Sequence, residues 1–186
     1  MRLWWFLFML MTCSPHCAHA SEDLLSFLSL FHPKQRNTIG AVCERITEYE
    51  LRRAFEDDDS ITILSNITYT SPHRKKKQVN KILGEADFLI LKNGYLWHFI
   101  EVKCPAHKNL KKAKKKALEQ IERFKTHCVR ATCRLWTGKQ EVKIKFPKGE
   151  DNIDFYMVSY KDSLGEFVQL GETLEEVQKI VARLSE

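Results

Sequence analysis

The sequence has 186 residues, of which 44% are apolar. This length suits one globular domain rather than two, and the apolar content excludes a disordered chain. Lys and Arg number 30 against 24 Asp and Glu, a net charge of +6, which favours a polyanionic partner, although a solvated basic surface explains the charge equally well.

The first twenty residues have the pattern of a secretory leader. Arg2 precedes an apolar run over 3–11, and Ala18-His19-Ala20 has the small-x-small pattern that signal peptidases accept. We therefore predict a signal peptide over 1–20 and a secreted or periplasmic protein. The apolar run is short for a bilayer span, so a retained membrane anchor is the weaker alternative and no stable anchor is expected after cleavage.

The amino-terminal half is predicted to contain two helices and a strand. Apolar spacing predicts a helix over 21–31, ended by Pro33, so 21–37 is a helix with a connector and 38–186 the main domain. A second helix is expected from its cap Thr38 to Phe55. The β-branched run 61–70 predicts a strand that ends at Ser71-Pro72.

The middle of the chain contains a strong hairpin signal. Asn93-Gly94 separates two apolar runs, 86–91 and 95–103, and this dipeptide is typical of a tight β-turn. Pro105 ends the second run, and a helix is expected over 109–126. The remaining predicted elements are strands over 129–136, 141–146 and 153–160 and a terminal helix over 173–184.

The cysteines and a glycosylation sequon are the two features of the sequence whose meaning depends on export. Beyond the predicted leader the cysteines are Cys43, Cys104, Cys128 and Cys133, and they allow three disulfide connectivities among which the sequence does not choose. Asn66-Ile67-Thr68 is a glycosylation sequon, which matters only in a eukaryotic host.

The chemistry-bearing residues lie in the hairpin. Glu101 and Lys103 are two positions apart on a strand, so both side chains project from one face. Carboxylates hold a divalent cation that activates water for phosphodiester hydrolysis, and a nearby Lys stabilises the negative charge of the transition state. Asp87, on the preceding strand, is the expected second metal ligand. An exposed ion pair is the common alternative for Glu-x-Lys alone.

Hairpin register decides whether Asp87 and Glu101 share a face. With a two-residue loop and regular pairing, Lys92 pairs with Tyr95 and Asp87 points to the other face. A three-residue loop, Lys92 to Gly94, would pair Asp87 with Phe99 and make Glu101 its diagonal neighbour. We therefore predict the longer loop or a bulge near Asp87.

Three motifs together resemble the PD-(D/E)XK nuclease superfamily, especially its RecB-like and archaeal-resolvase-like branches. They are Gly84-Glu85-Ala86-Asp87-Phe88, Glu101-Val102-Lys103 and Ala117-Leu118-Glu119-Gln120-Ile121, and the family's usual Pro before the Asp is absent. The resemblance covers about 38–160. It implies a restriction-endonuclease-like α/β fold, with a mixed central sheet flanked by helices in the order α-β-β-β-α-β.

The resemblance also implies site residues. Asp87, Glu101, Lys103 and Gln120 match the family's catalytic positions, and Glu44, after Gly40 on the second helix, matches a further metal ligand. Gln120 and Glu44 could each be solvated helix residues instead.

Basic residues flank these motifs in the sequence and are expected to contact phosphates, or else to confer solubility. They are Arg74, Lys75, Lys76 and Lys77 in a loop and Lys111, Lys112, Lys115 and Lys116 on the following helix.

The sequence thus predicts an exported nuclease dependent on Mg²⁺ or Mn²⁺ that acts on DNA in preference to RNA. The alternatives are a non-catalytic nucleic-acid-binding protein of the same fold and a secreted basic interaction or effector protein. The oligomeric state stays open, a homodimer included.

Overall fold

A computed structural model describes residues 22–32, 38–72, 81–105, 109–160 and 168–184. The predicted signal peptide and the basic loop from Arg74 to Lys77 lie outside these residues. None of the described helices combines the length and the apolar character that crossing a bilayer requires.

The described elements form an α/β fold with one mixed sheet. The helices are α1 (Glu22–Ser29), α2 (Ile39–Ala54), α3 (Leu110–Phe124) and α4 (Leu174–Arg183). The strands are β1 (Ile61–Thr70), β2 (Ile82–Lys92), β3 (Tyr95–Val102), β4 (Arg134–Thr137), β5 (Gln140–Val142), β6 (Asp154–Ser159) and β7 (Val168–Gln169). Their order in the sheet is β5-β4-β1-β2-β3-β6-β7. The β1–β2, β2–β3, β1–β4 and β4–β5 pairs are antiparallel and the β6–β7 pair is parallel. The predicted α/β class, a mixed sheet flanked by helices, is confirmed.

Helix α2 begins where its capping residue predicted. The Thr38 hydroxyl accepts a hydrogen bond from the Ala41 amide at 3.2 Å, and the Thr38 carbonyl accepts one from the Val42 amide at 3.0 Å. Thr173 and Glu176 form a reciprocal capping box at the start of α4. Side-chain caps at helix starts satisfy backbone donors that the helix itself cannot, which is why both starts were visible in the sequence.

The segment after α3 differs from its prediction. The chain continues from α3 into a π-helical turn, Lys125–Val129, and strand β4 starts only at Arg134. The predicted strand over 129–136 was therefore wrong in its first half, because a disulfide between Cys128 and Cys133 closes this stretch into a short loop. The strand predicted over 141–146 is also shorter, since Lys145 makes only an isolated bridge to Tyr95.

The described chain divides into two compact units. The first unit comprises the described residues within 1–54, 102–114 and 157–186, and the second comprises those within 55–101 and 115–156.

In the first unit, α2 packs against α1 and α4. Val42 and Ile46 of α2 are fully buried, and Val177 of α4 is fully buried too. The Phe27 and Tyr49 rings, from α1 and α2, lie 5.4 Å apart. Burial of this apolar stripe is the main stabilisation of α2.

In the second unit, Phe124 of α3 organises an aromatic core. Its ring lies 4.7 Å from Phe99 of β3 and 5.4 Å from Tyr69 of β1, and Phe99 lies 5.7 Å from Phe155 of β6. Phe99, Phe124 and Tyr69 have no exposed surface. This contact set fixes α3 against the strands that carry the candidate site residues of this unit.

Gly84 in β2 is required by the packing of Tyr69. A Cβ atom at position 84 would collide with the Tyr69 hydroxyl and lie 2.5 Å from Cζ, and the phenol cannot move because it is fully buried. We expect Gly84→Ala to destabilise the protein by about 2 kcal/mol or more. Gly40→Ala is the matched control, because a Cβ there meets nothing within 4 Å in a helix, and it should stabilise by about 0.5–1 kcal/mol. Urea unfolding measures both, and equal effects would contradict the clash.

Glu50 of α2 is a half-buried acid in the first unit. Burial, followed by the charge of Glu172, raises its pKa from 4.5 to about 7, although the Gly171 amide donates a hydrogen bond to Oε1 at 3.1 Å. Because the folded pKa exceeds the unfolded value, the stability penalty is absent below about pH 4.5 and grows until the pH passes about 7.

We expect Glu50→Gln to stabilise the protein at high pH only. The gain should reach at most about 3 kcal/mol at pH 8 and stay under about 0.5 kcal/mol at pH 4.5. Glu175→Gln is the control, because Lys179 lowers the pKa of this exposed acid, so its loss should not stabilise the protein at pH 8. Thermal unfolding at the two pH values tests the expectation, and a gain of the same size at both would contradict it.

Candidate active site

The hairpin that carries Asp87 and Glu101 has a two-residue turn. Asn93 and Gly94 have φ values of 53° and 78°, which is the left-handed conformation that a type I′ turn requires at both positions. Lys92 pairs with Tyr95 across this turn. The predicted three-residue loop was therefore wrong, because Asn followed by Gly supplies the tight turn without a third residue.

A β-bulge changes the register within the hairpin. Leu91 pairs with Leu96 but Ile90 pairs with His98, so Trp97 is an extra residue on β3. Beyond this bulge, Leu89 pairs with Phe99 and Phe88 with Ile100. The predicted pairing of Asp87 with Phe99 was wrong, because Phe99 pairs with Leu89, and the bulge that was expected near Asp87 lies at Trp97 on the opposite strand.

The shifted register sets Asp87 and Glu101 at corresponding positions of the two strands. The β2–β3 ladder ends at the Phe88–Ile100 pair, and Asp87 and Glu101 are the next residue of each strand beyond that pair. One further step of the same register would make them directly opposite, where Cβ atoms lie about 4.5–5.5 Å apart, rather than diagonal neighbours as expected from the sequence. Asp87 is half-buried and Glu101 is 0% exposed.

The backbone is irregular beside Asp87. On the other side of β2, strand β1 pairs Ser65 with Phe88 and Ile67 with Ala86, and the ladder skips Asn66 and Asp87 between them. Asn66 has a positive φ of 54°, a conformation that non-glycine residues adopt rarely and that Asn tolerates best. Asp87 therefore lies at a local interruption of the sheet.

Lys103 immediately follows β3 and belongs to the first unit. Its amide donates to the Val158 carbonyl at 2.9 Å, and its carbonyl accepts from the Ser159 hydroxyl at 2.8 Å. The half-buried Lys103 Nζ donates to the Val102 carbonyl at 3.1 Å. The backbone at the carboxyl end of β3 is thus fixed by β6 on both sides of the Lys103 side chain.

Glu44 lies on α2, also in the first unit, and is half-buried. A disulfide joins its neighbour Cys43 to Cys104, with a Cα–Cα distance of 6.3 Å, and Cys104 follows Lys103 directly. The two positions that the resemblance assigned to Glu44 and Lys103 are therefore each next to one end of a covalent link. Three connectivities were compatible with the sequence, which could not select among them.

Helix α3 has one buried face and one exposed face. Ala113, Ala117 and Ile121 are buried, whereas Gln120 is half-buried in the second unit. The predicted phosphate-contacting lysines of α3 are all exposed: Lys111, Lys112, Lys115 and Lys116.

Tyr69 is a buried residue whose pKa responds to the charge of Glu101, and the sequence did not single it out. Burial raises the pKa of Tyr69 to about 12, an increase opposed by Arg123 and assisted by the charges of Glu101 and Glu85. The phenol is therefore a neutral donor at working pH, and its buried oxygen has no hydrogen-bonding partner among the described residues. Tyr69 looked like an ordinary core residue of a strand, so no sequence signal distinguished it.

The donor set around β2 and β3 suits a hard divalent cation. Asp87 and Glu101 offer carboxylate oxygens, which Mg²⁺ and Mn²⁺ prefer, and Mg²⁺ sites in proteins often use one or two carboxylates plus water. Within the described ranges, no group of three or more His, Cys, Asp and Glu side chains is gathered at metal-binding distance.

Comparison of the chain with family models, curated proteins and solved structures gives no match. The fold class is therefore established from the structure alone, and the relationship to the PD-(D/E)XK superfamily stays a prediction from the motifs.

Proposed function

We propose that this chain is a metal-dependent nuclease that hydrolyses phosphodiester bonds. We expect its substrate to be DNA in preference to RNA. The observation that carries the proposal is the register after the bulge at Trp97, in which the ladder ends at Phe88–Ile100 and leaves Asp87 and Glu101 as the next residue of each strand. Two carboxylates at such positions repel each other unless a cation or a proton is shared between them, so their pairing favours a cation site.

Each candidate site residue would have its own role in the reaction. Asp87 and Glu101 would hold Mg²⁺ or Mn²⁺, which when bound would acidify a water and neutralise charge on the phosphate. Lys103, two positions after Glu101, would stabilise the negative charge that develops on the phosphoryl oxygens. Gln120 would orient the attacking water or the phosphate.

The order of elements supports a restriction-endonuclease-like core. From α2 to β4 the chain runs α-β-β-β-α-β, which is the order that the resemblance implies. The motif residues fall within it on β2, at the end of β3 and on α3. The interrupted ladder at Asp87 adds support, because irregular backbone is concentrated at functional sites.

The charge distribution supports a nucleic-acid substrate. Four exposed lysines of α3, Lys111, Lys112, Lys115 and Lys116, follow the Glu-x-Lys motif in the chain, and lysines of this kind bind phosphates without reading sequence. The two disulfides support an exported protein, because disulfides persist in oxidising compartments.

The proposal is tested by incubating the protein from Ser21 onward with single-stranded, duplex and branched DNA and with RNA. Each substrate is given Mg²⁺, Mn²⁺ or a chelator. We expect metal-dependent cleavage, and a rate lowered about 100-fold or more in Lys103→Ala. Lys179→Ala is the matched control, because Lys179 is 68% exposed on α4 and pairs with Glu175, and it should cleave normally.

The remaining outcomes distinguish the alternatives. Salt-sensitive binding of DNA without cleavage would indicate a non-catalytic nucleic-acid-binding protein. Absence of both binding and cleavage would leave a secreted interaction protein. Full activity in Lys103→Ala would show that the cleavage comes from another site.

A further inference from the structure

Asn66 lies in a glycosylation sequon that the nuclease proposal does not use. The sequence contains six asparagines, at positions 37, 66, 80, 93, 109 and 152, and only Asn66 is followed by the x-Thr pattern, as Asn66-Ile67-Thr68. Asn66 is therefore the single candidate acceptor among the six asparagines. Any N-linked carbohydrate on this chain must be attached there.

The folded protein leaves room for an oligosaccharide at this position. Asn66 is exposed, whereas the next residue, Ile67, has no exposed surface. Because oligosaccharide is added to the nascent chain before folding is complete, the folded state must be able to place it in solvent. Within the triad, the acceptor is the only exposed residue.

Backbone geometry explains why Asn66 is exposed in the middle of a strand. Its φ of 54° breaks the regular alternation, and the β1–β2 ladder skips it. On the other side of β1, pairing with β4 starts only at Ile67, which pairs with Thr137 next to the positive-φ turn residue Gly138. Asn66 thus lies just beyond the β4 ladder.

The disulfides indicate the compartment where such transfer takes place. The four cysteines that follow the predicted leader form two disulfides, Cys43–Cys104 and Cys128–Cys133. In eukaryotic cells, disulfides and N-linked glycans are both introduced in the lumen of the secretory pathway. The sequon and the disulfides are independent features that point to this same environment.

We propose that Asn66 carries an N-linked oligosaccharide. In the transfer, Nδ2 of Asn66 forms a bond to C1 of the first sugar of a lipid-pyrophosphate-linked oligosaccharide. The bond from C1 to the pyrophosphate oxygen breaks, the lipid pyrophosphate leaves, and Nδ2 loses one proton. The glycan extends from the side of β1 at the point where its ladder is interrupted.

The test is expression of the full chain, with its own leader, in cultured animal cells. Intact mass and peptide mapping are measured on protein from both the medium and the cells, before and after treatment with peptide N-glycosidase. We expect one carbohydrate mass increment, removed by the enzyme with conversion of residue 66 to aspartate. Asn66→Gln and Thr68→Ala should each abolish the increment.

Asn109→Gln is the matched control, because Asn109 is also exposed but lies in no sequon, and it should keep the increment. A chain with unmodified Asn66 in both cells and medium would overturn the proposal. Carbohydrate that persists in Asn66→Gln would overturn it too, since the attachment would then be elsewhere. Neither result depends on nuclease activity.

Discussion

Replacing Glu101 with glutamine is expected to abolish metal-dependent cleavage, with a loss of about 1000-fold or more, and to abolish stabilisation by metal. Glu101 is fully buried and, like Asp87, is the first residue beyond the last β2–β3 pair, so its charge is the main contribution that a cation would receive from β3. Glutamine keeps the volume of the side chain but removes that charge. Cleavage rates and thermal unfolding with and without Mn²⁺ measure the two effects.

The metal effect on unfolding is a readout that does not need a substrate. A ligand that binds only the folded state stabilises it by about 2.7 kcal/mol at one hundred times its dissociation constant. Native protein should therefore unfold at a higher temperature in Mn²⁺, and the Glu101→Gln protein should not. Glu85→Gln is the matched control, because Glu85 is an exposed acid on β2, and it should retain both the stabilisation and the cleavage.

A second variant allows the prediction to be tested even if the first variant does not fold. If Glu101→Gln fails to fold, Asp87→Asn replaces it, because Asp87 is half-buried and its substitution disturbs the core less. Metal-induced stabilisation that survives in a folded variant of either carboxylate would contradict their role as metal ligands. Lost cleavage with intact metal binding would limit their role to the reaction itself.

Local sequence signals predicted the position of the turn in the hairpin but not the bulge. Asn93-Gly94 correctly predicted the position of the turn, because only a few residue types adopt positive φ at both central positions. The extra residue at Trp97 was not visible, since its surroundings read as regular strand. We expected a three-residue loop or a bulge near Asp87, whereas the turn has two residues and the bulge lies at Trp97 on the opposite strand.

Features that depend on distant contacts were less predictable. The helix starts at Thr38 and Thr173 follow from local capping and were placed to within one residue. The end of α3 was not, because the π-helical turn and the Cys128–Cys133 link depend on tertiary structure. The packing of Tyr69 against Gly84 is also a tertiary contact that no periodicity reveals.

Removal of the Cys43–Cys104 disulfide is expected to have the second large effect. In the chain-entropy description, a link stabilises the folded state by restricting the unfolded chain, and the effect grows with loop length. The two links span sequence separations of 61 and 5 residues. The expected losses on replacing both cysteines by alanine are about 4 kcal/mol for the long link and about 2 kcal/mol for the short link. Equilibrium urea unfolding of the two double variants compares them directly.

The long link is also expected to affect cleavage, as a consequence that rests on the proposed function. Cys43 precedes Glu44 and Cys104 follows Lys103, so loss of the link frees two candidate site positions at once. Small displacements of positioning groups cost about 100-fold in rate. We therefore expect Cys43→Ala/Cys104→Ala to lose cleavage under conditions where it is still folded, while Cys128→Ala/Cys133→Ala keeps it. Equal losses of stability in the two variants would show that the longer loop adds nothing to the stabilisation. Normal cleavage in Cys43→Ala/Cys104→Ala would show that the link does not position the site.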